Sequence, residues 1–239
     1  MTELLFRDDP YLFETGGVVR AVSPDGGVRL DRAIFYPAGG GQPGDVGALT
    51  WEGGEMQVID ARKGEAPDDI VLIGPEGAPR PPVGATVRQA LDTPVRLAHM
   101  RMHTALHLLS VAIPLPVTGG QIGAQKGRLD FDMPEAPGDK DAIEAAVNAM
   151  IAANHPVSEE WITDAELDAN PGLVKTMTVQ PPRGSGRVRL VRIGAGEATI
   201  DLQPCGGTHV RATGEIGRVR IGKIEKKGKM NRRVSLHLD

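Results

Sequence analysis

His103 and His107 stand four residues apart in the run His103-Thr104-Ala105-Leu106-His107. On a helix that spacing puts both imidazoles on one face, a turn apart, where they can share a metal ion. Almost a hundred residues later, Cys205 and His209 repeat the spacing in Gln203-Pro204-Cys205-Gly206-Gly207-Thr208-His209. A soft thiolate and three imidazoles suit Zn2+. Each pair alone is a weak signal, because a lone His-x-x-x-His arises by chance and a free Cys is usually a small buried apolar group. Together they are stronger: the chain's only cysteine sits in the only other His-bearing tetrad of this form. The expected ligand set is therefore His103, His107, Cys205 and His209. Two other zinc chemistries fail on residue identity. A zincin needs Glu after its first His, where this chain has Thr104, and a nucleobase deaminase needs a second Cys after Pro204-Cys205. His99 lies one further turn back on the same face and is a partner of a ligand, a competing ligand or a bystander.

Certain elements must position these residues. Val95–Val111 reads as a helix, with Thr93 as its cap, Pro94 at its first position and Met102, Ala105, Leu106 and Leu109 toward a core. Pro114 and Pro116 end it. A second helix is expected from Asp139 or Lys140 to about Asn154, with Ile143, Ala146, Val147 and Met150 facing inward. Residues 157–162 and 187–239 alternate as strands do, so residues 93–239 read as a mixed α+β domain. Residues 1–92 read as all-β. Residues 17–22 and 28–30 flank the turn residues 23–27, and Trp51–Glu55 sits near a second turn with 56–61 as its return strand. Such short strands suggest a small N-terminal β-barrel, with the domain boundary at Leu91–Pro94. Between these hairpins, Phe35–Asp45 holds Gly39, Gly40 and Gly41. That loop either lets something approach its backbone or is a flexible turn, and it lacks the Lys-Ser/Thr of a Walker phosphate loop.

Composition agrees. With 31 Gly and 19 Pro, short strands and turns are favoured over a helical bundle, and eight aromatic residues leave the core to aliphatic side chains. One cysteine excludes an intrachain disulfide and fits a reducing compartment. The N-terminal residues lack a basic start followed by a long apolar run, and no stretch reaches membrane-spanning length, so the chain reads as cytoplasmic. The net charge of −4 conceals an asymmetry: residues 187–239 carry 12 Lys+Arg against 5 Asp+Glu. A basic end on an acidic chain suggests contact with a polyanion, or simply a solvated basic region.

Three segments occur in a telling order: His103–Leu109, then Gln125-Lys126-Gly127-Arg128-Leu129-Asp130-Phe131-Asp132, then Cys205–His209. They resemble the editing domain shared by alanyl- and threonyl-tRNA synthetases. Thr213-Gly214-Glu215-Ile216-Gly217, Lys226-Lys227-Gly228 and Arg232-Arg233 fit the same pattern. Tyr36–Asp45 resembles the glycine-rich motif in the N-terminal barrel of the longer free-standing alanyl-tRNA editing proteins.

The resemblance implies a trans-acting hydrolase of Ser-tRNA(Ala), and of Gly-tRNA(Ala), since the chain is too short for an aminoacylation domain as well. It implies tRNA as partner and zinc as cofactor, polarising the ester, activating water or orienting the substrate. Sparing alanine while taking serine requires polar groups that the serine hydroxyl satisfies and alanine leaves unpaired. Gln125, Thr104 and Thr208 are the candidates, Gln125 first because it lies in the segment resembling the family's specificity motif. The backbone N–H groups of Gly206 and Gly207 are candidate oxyanion donors, or a tight turn joining two ligands. Gly39, Gly40 and Gly41 are candidate substrate contacts. Lys126, Arg128, Lys226, Lys227, Lys229, Arg232 and Arg233 are candidate phosphate contacts. The alternatives are an editor of another charged tRNA such as Ser-tRNA(Thr), a non-catalytic zinc-containing tRNA-binding module, and a binder of a free amino acid or nucleotide.

Overall fold

A computed structural model describes residues 2–66, 68–177 and 186–239. The chain is mixed α+β with little helix, and it divides into two compact units, Met1–Leu97 and Ala98–Asp239.

The first unit contains β1 (Glu3–Leu4), a one-turn α1 (Leu5–Asp8), β2 (Glu14–Val22), β3 (Val28–Leu30), β4 (Arg32–Ala33), β5 (Gly47–Trp51), β6 (Gly54–Val58), β7 (Asp60–Lys63), β8 (Ile70–Ile73) and β9 (Thr86–Leu91). Seven of these strands form one nearly closed sheet in the order β6-β5-β9-β2-β3-β8-β7. Its core is mostly aliphatic, with Val28, Leu30, Ile34, Leu49, Ile70 and Leu72 almost fully buried around Phe35. β5 and β6 join through Glu52-Gly53, with Trp51 opposite Gly54 and Gly53 at φ 94°, a left-handed conformation that glycine adopts without strain. The expected return strand 56–61 is two strands. Met56 and Val58 point inward, then the parity shifts to Ala61, so the chain leaves its β5 partner after Val58 and pairs with β8 from Asp60 onward.

The glycine-rich loop is a built turn. Gly39 and Gln42 exchange backbone hydrogen bonds of 3.0 Å in each direction, and Asp45 N–H donates to the Tyr36 carbonyl. Asp45 is buried and accepts from Tyr36 N–H at 2.6 Å. Its carboxylate also meets the Arg96 guanidinium, which donates further to the Ile34 and Pro10 carbonyls. Both charged side chains are essentially solvent-free.

Helix α2 (Thr93–Ala112) starts where the sequence places it but is capped one residue earlier. Asp92, not Thr93, accepts the Val95 N–H (3.1 Å), which puts Pro94 at the second helical position. Asp92 is the better cap because a carboxylate accepts without having to orient a proton. The periodicity of α2 pointed to one core face, yet every residue from Met102 to Ser110 is buried. A helix covered all round is a central helix.

The second unit adds β10 (Val117–Gln121), β11 (Lys126–Asp132), α3 (Lys140–Ala152), β12 (Val157–Thr163), α4 (Asp164–Ala169), β13 (Arg187–Ile193), β14 (Asp201–Pro204), β15 (Val219–Lys226) and β16 (Asn231–Leu238). Helix α3 starts where expected, ends at Ala152, two residues short of the expected Asn154, and is capped by Asp139, which accepts from Ala142 N–H. Two antiparallel sheets result, ordered β10-β11-β16-β15 and β12-β13-β14. Gly127 lets β11 lie on α2: a Cβ there would fall 2.5 Å from the Met102 sulfur and 3.1 Å from Leu106. The next face of α2 turns His107 toward Asp201 on β14. No helix among the described residues is long and apolar enough to cross a membrane.

Candidate metal centre

Helix α2 supplies His103 and His107, and the turn after β14 supplies Cys205 and His209. One donor atom from each lies within 4.8 Å of the others, and the three histidines are buried. Cys205 Sγ stands 3.4 Å from His103 Nε2 and 3.2 Å from His209 Nε2. Tetrahedral zinc with S and N ligands requires donor separations of roughly 3.3–3.6 Å, so these atoms already sit close to the edges of such a tetrahedron. His99 is also buried but is not one of the four.

Partners behind the ligands fix which ring nitrogen faces the centre. His107 Nδ1 meets the Asp201 carboxylate at 2.9 Å. The carboxylate accepts only, so Nδ1 carries the proton and Nε2 is the coordinating atom. Asp201 is fully buried and also accepts from Lys175 Nζ (2.5 Å) and Gln203 Nε2 (2.8 Å). For His209 the backing group is Thr104. Its hydroxyl donates to the Met100 carbonyl (3.0 Å), accepts from Val210 N–H (3.3 Å) and lies 3.1 Å from His209 Nδ1. With its one proton given to Met100, Thr104 accepts from Nδ1–H, again leaving Nε2 toward the centre. The turn itself is held by Arg189, which pairs with Glu159 and donates to the Cys205 (2.7 Å) and Gly207 (2.9 Å) carbonyls.

Burial and neighbouring charges shift the titrating groups of the cluster in opposite directions. Burial alone would raise the Cys205 thiol, but the His103 and His209 imidazoles outweigh it and hold it well below the usual thiol range. Burial alone would lower His107, yet the Asp201 carboxylate and the Cys205 thiolate hold it up at about 9. Burial and the nearby His103 push His209 down to about 3. Burial opposes the charge on Asp201, and His107 and Lys175 overcome it, giving about 2. Cys205 is thus held toward the thiolate and His209 toward the neutral ring, while His107 is held toward its protonated form and must release the Nε2 proton to bind a metal. This donor set, with its backing partners, fits zinc.

The remaining sequence candidates are dispersed. Thr104 is wholly buried with its hydroxyl engaged as above, so it positions His209 and cannot present that hydroxyl to a substrate. Thr208 and Gly207 are buried in the ligand turn, while Gly206 is exposed, with open space where a Cβ would go. Gln125 precedes β11 with its side chain exposed, and its carbonyl accepts from Leu238 N–H. Gly40 and Gly41 are at the exposed tip of the glycine-rich turn, with Gly39 beside Lys63. Lys126, Lys226 and Lys229 are exposed, and Lys227 pairs loosely with Glu225. Arg128 and Arg233 share the Asp130 carboxylate, which leaves little of their charge for a phosphate. Arg232 is buried, bound to the Gly228, Asn231 and Pro134 carbonyls, and is structural. Asp201, Lys175, Gln203 and Arg189 went unread in the sequence. Only the nearness of Asp201 and Gln203 to Cys205 hinted at them.

Known proteins similar to this chain point to one family. Residues 188–235, which include Cys205 and His209, match the family model described as the threonyl and alanyl tRNA synthetase second additional domain. The alanyl-tRNA editing protein AlaX-M of Methanosarcina acetivorans is 37% identical over 98% of this chain and 98% of its own length. The protein of the same name from Methanosarcina mazei is 36% identical over 100% of this chain and 97% of its own. An alanine–tRNA ligase of Archaeoglobus fulgidus is 38% identical over 94% of this chain, but only 24% of the ligase is covered. End-to-end similarity at this level places the chain in the AlaX-M family of alanyl-tRNA editing proteins.

Proposed function

We propose that this protein is a zinc-dependent editing hydrolase that cleaves the ester of mischarged aminoacyl-tRNA, Ser-tRNA(Ala) first and Gly-tRNA(Ala) second. The observation that carries this reading is the convergence of His103, His107, Cys205 and His209 in a chain similar over its full length to proteins named for alanyl-tRNA editing. The same reading divides the chain into a small β-barrel with the glycine-rich motif, residues 1–92, and an editing domain, residues 93–239. It works in the compartment where charged tRNA is used, the cytoplasm.

His103, His107, Cys205 and His209 would hold the zinc ion, which supplies a Lewis acid beside the scissile ester. Asp201 and Thr104 keep the His107 and His209 rings oriented toward it. Gln125 reads the serine hydroxyl. Its exposed amide has no side-chain hydrogen bond among the described residues, so a substrate hydroxyl can satisfy it where alanine leaves it unpaired. Thr208 is a second candidate for that readout. Gly206 N–H, in an exposed and uncrowded position, suits a developing oxyanion better than the buried Gly207. Lys126, Lys226 and Lys227, with Arg128 in a lesser part, contact tRNA phosphates, and Gly39–Gly41 contact the substrate.

The ligand count favours a second reading. Four protein donors commonly make a closed structural site, which would leave a tRNA-binding module without hydrolysis. Deacylation of Ser-tRNA(Ala) beside Ala-tRNA(Ala) and Ser-tRNA(Thr) separates these readings. Loss of serine from tRNA(Ala) alone, abolished in Cys205→Ala, is the expected result. A folded, zinc-loaded wild type that binds tRNA and hydrolyses none of the three selects the binding module, and hydrolysis of Ser-tRNA(Thr) alone selects the other editor.

A further inference from the structure

Most basic residues of the C-terminal region that the structure pairs are already neutralised: Arg189 by Glu159, Arg192 by Glu160, and Arg233 by Asp130. One row differs. On the sheet β10-β11-β16-β15, Lys126 lies opposite His237, and His237 lies opposite Arg220. Directly opposed residues share a face and stand about 5 Å apart, so Lys126 and Arg220 flank His237 on one face of the sheet. Lys126 and Arg220 are exposed, and Lys126 has no acidic partner among the described residues. Among the described residues, Arg220 forms an exposed ion pair with Asp239 at 3.1 Å, a contact of little strength that a competing anion can displace. Room for the imidazole comes from Gly222, where a Cβ would stand 2.7 Å from His237 Nε2. Further along the same face, Asp130 balances Arg128 and Arg233.

We infer that Lys126, His237 and Arg220 form a phosphate-binding row across three strands that takes the sugar-phosphate backbone of tRNA beside Gln125. This rests on the tRNA reading above and extends it. Three donors spaced across neighbouring strands, two of them cations, track a backbone as no isolated lysine can. His237 fits the row as a neutral donor, since burial first, then Lys126 and Arg220, hold its imidazole below the usual value.

The test is equilibrium binding of uncharged tRNA(Ala) to the zinc-loaded full chain, measured across a salt series. The variants are Lys126→Ala/Arg220→Ala, with both sites exposed, His237→Gln, and Lys140→Ala on α3 as a remote lysine control. Each lost phosphate contact removes about 0.9 from the log–log salt slope, so the affinity lost between about 50 and about 200 mM salt should shrink roughly tenfold in the double variant. His237→Gln weakens binding less, and Lys140→Ala leaves it unchanged. Wild-type affinity and slope in the double variant, or an equal loss in Lys140→Ala, overturns the inference. Because the tRNA carries no ester, a row-dependent binder that fails to hydrolyse Ser-tRNA(Ala) keeps this inference and loses the hydrolase reading, and the converse result does the opposite.

Discussion

Two buried polar networks share the chain, and they leave very different things behind. In the first unit, Arg96 and Asp45 satisfy each other and the backbone carbonyls of Ile34 and Pro10, and every charged atom ends in a protein partner. In the second, Asp201, itself paired with Lys175, and Thr104 satisfy only the rear nitrogens of His107 and His209, and the front nitrogens converge with the Cys205 sulfur. A closed network stabilises a loop. A network satisfied on one side only stabilises a set of donors that still needs a cation.

Experiments can break or sharpen that contrast. The largest effect is expected from Cys205→Ala, which removes the thiolate: zinc content, read by elemental analysis after dialysis against a weak chelator, should fall from one per chain to none. Retained zinc would show that the three histidines hold the ion without the thiolate. Next, Arg96→Met strands a buried carboxylate and should cost about 3–5 kcal/mol in urea unfolding, with most of it recovered in Arg96→Met/Asp45→Leu. Zinc affinity of the folded Arg96→Met protein should be unchanged, and a parallel loss would merge the two networks into one. Asp201→Asn weakens the hold on the His107 ring and should reduce zinc affinity roughly 10- to 100-fold in chelator competition while the fold persists. Thr104→Val frees Nδ1 of His209 and should lower zinc affinity about tenfold, near the bottom of that range, because an imidazole tautomer is lost rather than a charge. Gly40→Ala should have the smallest effect. Its φ of 59° opposes a side chain, but the surrounding space is open, so about 1 kcal/mol of stability is at stake.

The parts legible in the sequence were those with local periodicity. The spacings His103–His107 and Cys205–His209 displayed the four donors, and the turn chemistry at Glu52-Gly53 displayed a hairpin. The start of α3 followed from Asp139. Legibility failed where the deciding neighbour is distant or where two adjacent residues compete for one role. Asp201 reaches His107 across 94 residues of chain, and nothing in the sequence distinguishes it from a surface carboxylate. Thr104 read as a polar group awaiting a substrate because sequence cannot show that Met100, Val210 and His209 already use its hydroxyl. Asp92 displaced Thr93 as the cap by a single position. Arg232 and Lys126 looked alike as basic residues, and only burial separates the structural one from the accessible one.

Gly127 contributes by having no side chain. If β11 slipped by one residue over α2, Lys126 or Arg128 would have to lie against Met102 and Leu106, with a long charged side chain in a space where even a methyl group would force the buried Met102 to shift. The strand therefore has one setting, as a key has one depth in its lock. Gln125 and Lys126, which stand at its threshold, derive their fixed address from an atom that their neighbour lacks.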